Sequence, residues 1–143
     1  MVLFRQVHQQ LRDELDGLDD HALNWVPLPG GNSIATIITH LVGSEAEALR
    51  CVAGVTCERD RDVEFLGPGL RRADVFRLLE EADKLVAELE PRIDTGRLIA
   101  EVPLPTCPPE EVRTGLTWLI GTYGHSREHV GQIQITTQLH RRS

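Results

Sequence analysis

The sequence predicts an all-α protein in which a single domain, residues 1–143, folds as a four-helix bundle. Apolar residues recur at steps of three and four in four long segments, which is the period of helices that bury one face. A long stretch rich in charge and glycine separates the second segment from the third, and connections of that length need a structural reason in a compact domain. A crossover that joins two parallel helices of a bundle supplies that reason.

The first predicted helix is based on apolar residues at helical spacing near the start of the chain: Phe4, Val7, Leu11, Leu15 and Leu18. Gly17 and the acidic pair at 19–20 weaken this helix towards its end. Residues 23–32 follow as a loop, because proline, glycine and asparagine concentrate there. Leu23 and Trp25 within this loop are expected to pack back onto the helices.

The second predicted helix runs from Ile34 to about Ala53, with Ser33 as its N-cap. Its first half is apolar nearly all round, which places it deep in the core. His40 lies in the middle of this helix, so its ring nitrogens need partners. The long crossover then covers residues 54–72.

The third predicted helix covers about residues 73–90, and Pro91 closes it. Residues 91–110 form a second irregular stretch, because the proline-rich run at its end cannot be helical. Within that stretch, residues 102–104 are predicted as a short extended piece.

The fourth predicted helix begins at Glu111 or Thr114 and ends near Leu139. It carries His125 and His129, which are four positions apart and therefore project from the same side of the helix, about one turn from each other. Two side chains at this spacing can hold one metal ion.

His40 supplies a third ligand if the second and fourth helices pack side by side. Three imidazoles with one open coordination position form a catalytic arrangement for zinc, and the same donors suit nickel or iron. The sequence therefore predicts a metal site at His40, His125 and His129. The alternative is a structural protein in which these are hydrogen-bonded core histidines. His8 is either a fourth ligand or a half-exposed surface residue.

Other polar side chains share faces with these histidines. Trp118 and Gln132 lie on the histidine face of the fourth helix and are candidate binding residues for a substrate or cofactor. Glu128 lies at the edge of that face and Glu47 on the face of His40, so both are candidate general bases. Candidate partners for the second nitrogen of each imidazole are Glu47, Glu128, Ser44 and Gln132.

Residues 125–129 also match the inverted zinc-peptidase motif, H-x-x-E-H, in which Glu128 would activate water. That motif needs a distant acidic ligand further along the chain. None of the 14 residues after His129 is aspartate or glutamate. The sequence therefore disfavours a peptidase.

Composition narrows the class of partners. The formal net charge of −7 argues against nucleic acid or an anionic membrane as the main partner. No apolar run approaches the ~20 residues of a membrane span, and the N-terminus lacks a signal-peptide pattern. Three cysteines without a C-x-x-C spacing are expected to be reduced thiols in the cytoplasm.

Two stretches resemble the DinB/YfiT-like family. The first stretch consists of residues 23–27 and 32–41, which resemble the entry to the second helix of that family. The second stretch is residues 125–133 in the fourth helix. The resemblance covers the whole length and the helix order. It implies an up-down-down-up four-helix bundle and a metal held by three histidines, which map onto His40, His125 and His129.

The resemblance also implies an activity and an assembly. Members of the family are often dimers, and characterised members include mycothiol- and bacillithiol-dependent transferases and a mycothiol-dependent isomerase. The expected function is therefore transfer of a low-molecular-weight thiol to a small-molecule electrophile at the metal, in a homodimer. A metal-dependent hydrolase and a non-catalytic metal-binding or sensing bundle are the alternatives.

Overall fold

The structure, a computed structural model, describes residues 1–65 and 69–143. Residues 66–68, part of the predicted crossover, lie outside the described residues. The described chain is mostly helical, and its elements in chain order are α1 (Val2–Glu14), α2 (Asp20–Asn24), α3 (Ile34–Val52), α4 (Arg61–Phe65), α5 (Arg72–Leu89), a 3-10 turn (Glu90–Arg92), α6 (Thr95–Ile99), β1 (Glu101–Pro103), β2 (Val112–Thr114) and α7 (Gly115–His140).

The four predicted helices correspond to α1, α3, α5 and α7. Ser33 caps α3 as predicted, because its hydroxyl accepts the Thr36 N–H at 3.2 Å. Of the two predicted starts of α7, the structure has Thr114 as the N-cap, whose hydroxyl accepts the Thr117 N–H. Helix α1 ends at Glu14, so Leu15 and Leu18, the last two residues of the predicted apolar pattern, lie beyond it.

Short helices occupy the stretches that were predicted as irregular. Helix α2 includes Leu23 and Asn24 of the predicted loop, and Asp19 caps it by accepting the Ala22 N–H. Asp94 caps α6 in the same way. Single acidic caps thus start one-turn helices that carry too few residues for a periodic pattern.

A two-stranded antiparallel hairpin precedes α7. The predicted extended piece at 102–104 overlaps β1, and Val102 pairs with Arg113 of β2. If the fourth helix started at Glu111, the residues of β2 would be helical. Backbone pairing with β1 keeps them extended instead.

Two apolar clusters show how α3 and α7 lie. One cluster joins the first half of α3 to the second half of α7 and includes Ile34, Ile37, Ile38, Leu41, Val130 and Ile133. The other joins the second half of α3 to the start of α7 and includes Ala48, Leu49, Val52, Trp118 and Leu119. The two helices therefore run antiparallel, which brings the middle of α3 opposite the middle of α7.

Side-chain contacts also relate α1 to its neighbours. Arg127 of α7 donates to Gln10, and Gln134 of α7 donates to Glu14. The order of contacts is the same along both helices, so α1 and α7 run in the same direction. No helix in residues 1–65 or 69–143 combines the length and the apolar character that crossing a membrane requires.

Candidate metal centre

Three histidine side chains meet between α3 and α7. His40 comes from the middle of α3, and His125 and His129 lie one turn apart on α7. The Nε2 atom of His125 lies 3.2 Å from Nε2 of His40 and 3.1 Å from Nε2 of His129. One ligand atom from each residue lies within 4.8 Å of the other two. The structure thus brings together the three residues that the sequence predicts as metal ligands.

The geometry fits a metal ion. Zinc–nitrogen bonds of about 2.0–2.1 Å in a tetrahedron give nitrogen–nitrogen separations of about 3.3 Å. The two Nε2 separations at His125 are close to that value. Two imidazole nitrogens that both present lone pairs have no hydrogen bond to share, whereas a cation between them accepts both. The cluster could therefore hold a metal ion.

Two of the imidazoles have an oxygen partner for the second ring nitrogen. Nδ1 of His40 lies 2.9 Å from Oε2 of Glu64, and Nδ1 of His129 lies 2.8 Å from Oε1 of Gln132. When each Nδ1–H donates to that oxygen, the lone pair of Nε2 points to the cluster centre. Gln132 was among the predicted partners. Glu64 was not, because it lies in the crossover, where nothing in the sequence links it to His40.

The environment of His40 and His125 favours their neutral form. Burial lowers the pKa of His40. Burial, followed by the proximity of His129 and His40, lowers the pKa of His125 to about 4. The neutral imidazole is the form that binds a metal. At neutral pH, no proton has to leave His40 or His125 before an ion binds.

Arg59 connects the crossover to α3 through ion pairs. Its guanidinium donates to both carboxylate oxygens of Glu64 at 2.8 Å and to Oε2 of Glu47 at 2.9 Å. Burial disfavours its charge, but the two carboxylates outweigh burial and raise the pKa of Arg59. The ion pairs therefore hold Glu64 against His40.

The two predicted general bases occupy different environments. Glu47 is 1 % exposed, and besides Arg59 it accepts the backbone N–H of Thr106 at 2.9 Å and the Thr106 hydroxyl at 2.7 Å. These bonds direct its carboxylate to Arg59 and Thr106. Glu128 lies exposed on α7, between His125 and His129 in sequence.

A cavity of about 350 Å³ adjoins the centre, and His40 and His125 form part of its wall. Trp118, the other predicted binding residue on α7, also lines it. The indole N–H of Trp118 donates to the carbonyl of Val102 at 2.6 Å, which ties α7 to β1. Cys107 lines the same cavity, and burial raises the pKa of its thiol.

His8 is neither a half-exposed residue nor a ligand of this cluster. It is completely buried, with Nε2 2.6 Å from Oε2 of Glu45 and Nδ1 2.7 Å from Oδ1 of Asp83. Oε1 of Glu45 in turn accepts the hydroxyl of Ser126 at 2.6 Å. This buried polar network links α1, α3, α5 and α7. The expectation of a surface residue was wrong because the carboxylate partners are far away in sequence.

The protein is therefore of the mostly helical class, with a candidate metal centre between its two long helices α3 and α7. The family model of the DinB superfamily matches residues 3–133. The chain therefore belongs to the DinB superfamily, which confirms the resemblance found in the sequence.

Structural comparison agrees with this assignment. The chain is similar to a DinB-like protein from Bacillus cereus, with a TM-score of 0.70 and 15% sequence identity. The similarity covers 92% of this chain and 84% of the other. At this identity it shows a shared fold. No curated protein matches the sequence.

Proposed function

We propose that the protein is a metal-dependent enzyme that transfers a low-molecular-weight thiol to a small-molecule electrophile. The observation that carries the proposal is the convergence of three imidazole nitrogens beside a cavity, whose wall includes two of the three residues, His40 and His125. A divalent ion bound there, zinc in first place and nickel or iron as alternatives, would supply the Lewis acidity that lowers the pKa of a thiol.

Each residue of this site has a separate role in the proposal. His40, His125 and His129 would hold the ion, and Glu64 and Gln132 orient the rings of His40 and His129. Trp118 forms an apolar wall for the reactants and keeps water away from that side.

Hydrolysis is the second candidate, and the position of Glu128 favours it. This residue is three positions after His125 on α7, near enough for its charge to act on the pKa of that imidazole. Glu128 would then accept the proton of an attacking water. Glu47 is less available for this role, because its carboxylate already accepts three hydrogen bonds, from Arg59 and Thr106.

Metal content tests the centre directly. We expect about one metal ion per chain in protein purified without chelator, and none in His40→Ala or His125→Ala. His21→Ala, at an exposed histidine of α2, is the matched control and should keep the ion. Wild-type protein that neither carries an ion nor takes up zinc or nickel would refute the proposal.

Activity then separates an enzyme from a metal sensor. Thiols are screened against electrophiles with the loaded protein, and any transfer must disappear in His129→Ala. Glu128→Gln distinguishes the two candidate reactions, because only hydrolysis needs a proton acceptor at that position. A loaded protein with neither activity would instead be a metal-binding or sensing bundle.

The assembly and location are further parts of the proposal. The long helices form an up-down-down-up bundle, which the parallel α1–α7 pair and the antiparallel α3–α7 pair support. A homodimer is supported by large apolar side chains exposed on α7: Leu116, Ile120, Ile135 and Leu139. Ile120→Glu should then reduce the mass measured by light scattering.

We also propose a cytoplasmic location, which the free thiols at Cys51, Cys57 and Cys107 support.

A further inference from the structure

The cavity beside the histidines is lined by positive charge. Arg59, Arg61 and Arg113 contribute to its wall, together with the carboxylate of Glu47. The chain as a whole carries a formal charge of −7. The arginines at this cavity are therefore of opposite sign to the net charge of the protein.

The three arginines are not equivalent. Arg59 is engaged by Glu47 and Glu64, so its charge is already compensated. Arg61 and Arg113 are largely exposed at the cavity, and neither contacts a buried carboxylate within the described residues. The ion pair of Arg113 is with the half-exposed Glu111, and exposed pairs of this kind are weak.

Both exposed guanidinium groups lie over aromatic rings, and one of these rings, that of Trp118, lines the cavity. The Cζ atom of Arg113 lies 4.8 Å from the ring centre of Trp118, and that of Arg61 lies 5.2 Å from the ring centre of Phe65. The Phe65 ring in turn lies 4.8 Å from the ring of His40. A guanidinium over a ring can still offer its N–H edge for a bidentate contact with a carboxylate. On Arg113 a bound carboxylate would replace the half-exposed Glu111, which accepts from that edge.

The candidate metal centre adds to this positive field. Three neutral imidazoles leave both charges of a divalent ion uncompensated. The three positive charges of Arg59, Arg61 and Arg113 are matched by the carboxylates of Glu47, Glu64 and Glu111. A divalent ion at the histidines would therefore add an excess of positive charge, which a bound anion would balance.

We propose that this cavity selects a reactant that carries a carboxylate, with Arg113 and Arg61 as its anchors. The inference rests on the proposed function in that the anchored molecule is one of the two reactants of the metal site. The anchor itself does not require the metal. Arg113 is positioned by the hairpin, because it pairs with Val102 of β1, whose carbonyl accepts the Trp118 indole N–H.

Binding of maleate tests the anchor apart from catalysis. Maleate and its uncharged diamide are titrated into metal-free and zinc-loaded protein, followed by calorimetry. We expect maleate to bind both forms and to bind about tenfold more tightly than the diamide, since charge-assisted bidentate contacts are the strong ones. Arg113→Gln and Arg61→Gln should each weaken maleate binding several-fold and leave the diamide unaffected. Arg77→Gln, at an exposed arginine of α5 that pairs with Asp74, is the matched control.

Equal binding of maleate and the diamide would overturn the inference, and so would maleate binding that both cavity substitutions leave unchanged. Because both arginines are exposed, thermal unfolding of the variants should match wild type and exclude misfolding as the cause.

A second comparison shows which reactant carries the anion. Mercaptosuccinate is compared with 2-mercaptoethanol as the thiol, and bromoacetate with bromoacetamide as the electrophile. The inference requires faster transfer with the charged member of one pair and loss of that preference in Arg113→Gln. Transfer with no preference in either pair refutes the inference and leaves the transferase standing. Arginine-dependent maleate binding without any transfer supports the anchor and refutes the transferase.

Discussion

Nδ1 of His40 lies 2.9 Å from a carboxylate oxygen of Glu64, a residue of the crossover and not of the long helices. The same carboxylate receives two hydrogen bonds from Arg59. The candidate metal centre therefore includes part of the connection between α3 and α5.

Glu64→Gln should weaken metal binding by about 10–100-fold, because it removes the anionic acceptor that orients the His40 ring. Competition with a chromophoric chelator measures the affinity. Glu58→Gln, at an exposed glutamate of the same connection, is the control and should leave the affinity unchanged. An unchanged affinity in Glu64→Gln would show that the carboxylate does not orient the ligand.

Glu45→Ala should lower the free energy of unfolding by about 3–5 kcal/mol, because it leaves a buried polar group without its charged partner. His8 and Ser126 both lose their contact with this carboxylate. Urea denaturation measures the change. Glu88→Ala, at an exposed position of α5, should stay within about 0.5 kcal/mol of wild type. If Glu45→Ala does not fold, Ser126→Ala should still show a loss of about 1 kcal/mol.

The stability contributed by His8 should depend on pH. Burial lowers its pKa, but Glu45 and Asp83 outweigh burial and raise it above the usual 6.5. A pKa raised by folding gives stability that is fully present below pH 6.5 and is lost as the pH rises through the folded-state pKa. The difference in unfolding free energy between wild type and His8→Gln should thus be larger at about pH 6 than at about pH 9.

Asp83 titrates at a much lower pH than His8, so it does not contribute to the difference measured between about pH 6 and pH 9. Burial raises the pKa of Asp83, but His8 and Arg12 outweigh it and lower the pKa. A lowered pKa gives stability that is lost only as the pH falls below the usual 3.8. A difference between wild type and His8→Gln that grows from about pH 6 to about pH 9 would contradict the assignment for His8.

Two glycines of α7 should respond to alanine in opposite directions. A Cβ atom at Gly115 would lie 2.4 Å from the carbonyl oxygen of Arg97 and 2.9 Å from Cγ1 of Val52. Gly115→Ala should therefore destabilise by about 1–3 kcal/mol through overpacking. A Cβ atom at Gly124 would meet nothing within 4 Å beyond its chain neighbours and the backbone of its own helix, so Gly124→Ala should stabilise by up to about 1 kcal/mol through helix propensity. Thermal unfolding at low protein concentration checks both signs.

The sequence predicted the parts of the molecule that repeat or that follow a spacing rule. Helical periodicity located α1, α3, α5 and α7, and the four-residue spacing of His125 and His129 together with the apolar surroundings of His40 predicted the three histidines. These signals are local, so each can be read within one helix. Gln132 was found for the same reason, because it lies three residues from His129.

The contacts that the sequence did not reveal join distant segments. Glu64 reaches His40 across 24 positions, and His8 reaches Glu45 across 37. No periodic pattern marks such pairs, since only the packing of the helices brings them together. Only one strand of the hairpin was predicted. The prolines around β1 indicated an extended segment, whereas the residues of β2 have the pattern of the start of α7.

The bond between Glu64 and His40 has a consequence for proteolysis. Two sites that influence the same ring are linked reciprocally, so an ion that binds Nε2 of His40 also stabilises the segment that holds Nδ1. Occupancy of the centre should then slow tryptic cleavage after Arg61, which lies in α4 on that segment. The rate of a single peptide-bond cleavage would thus report metal occupancy without a spectroscopic probe.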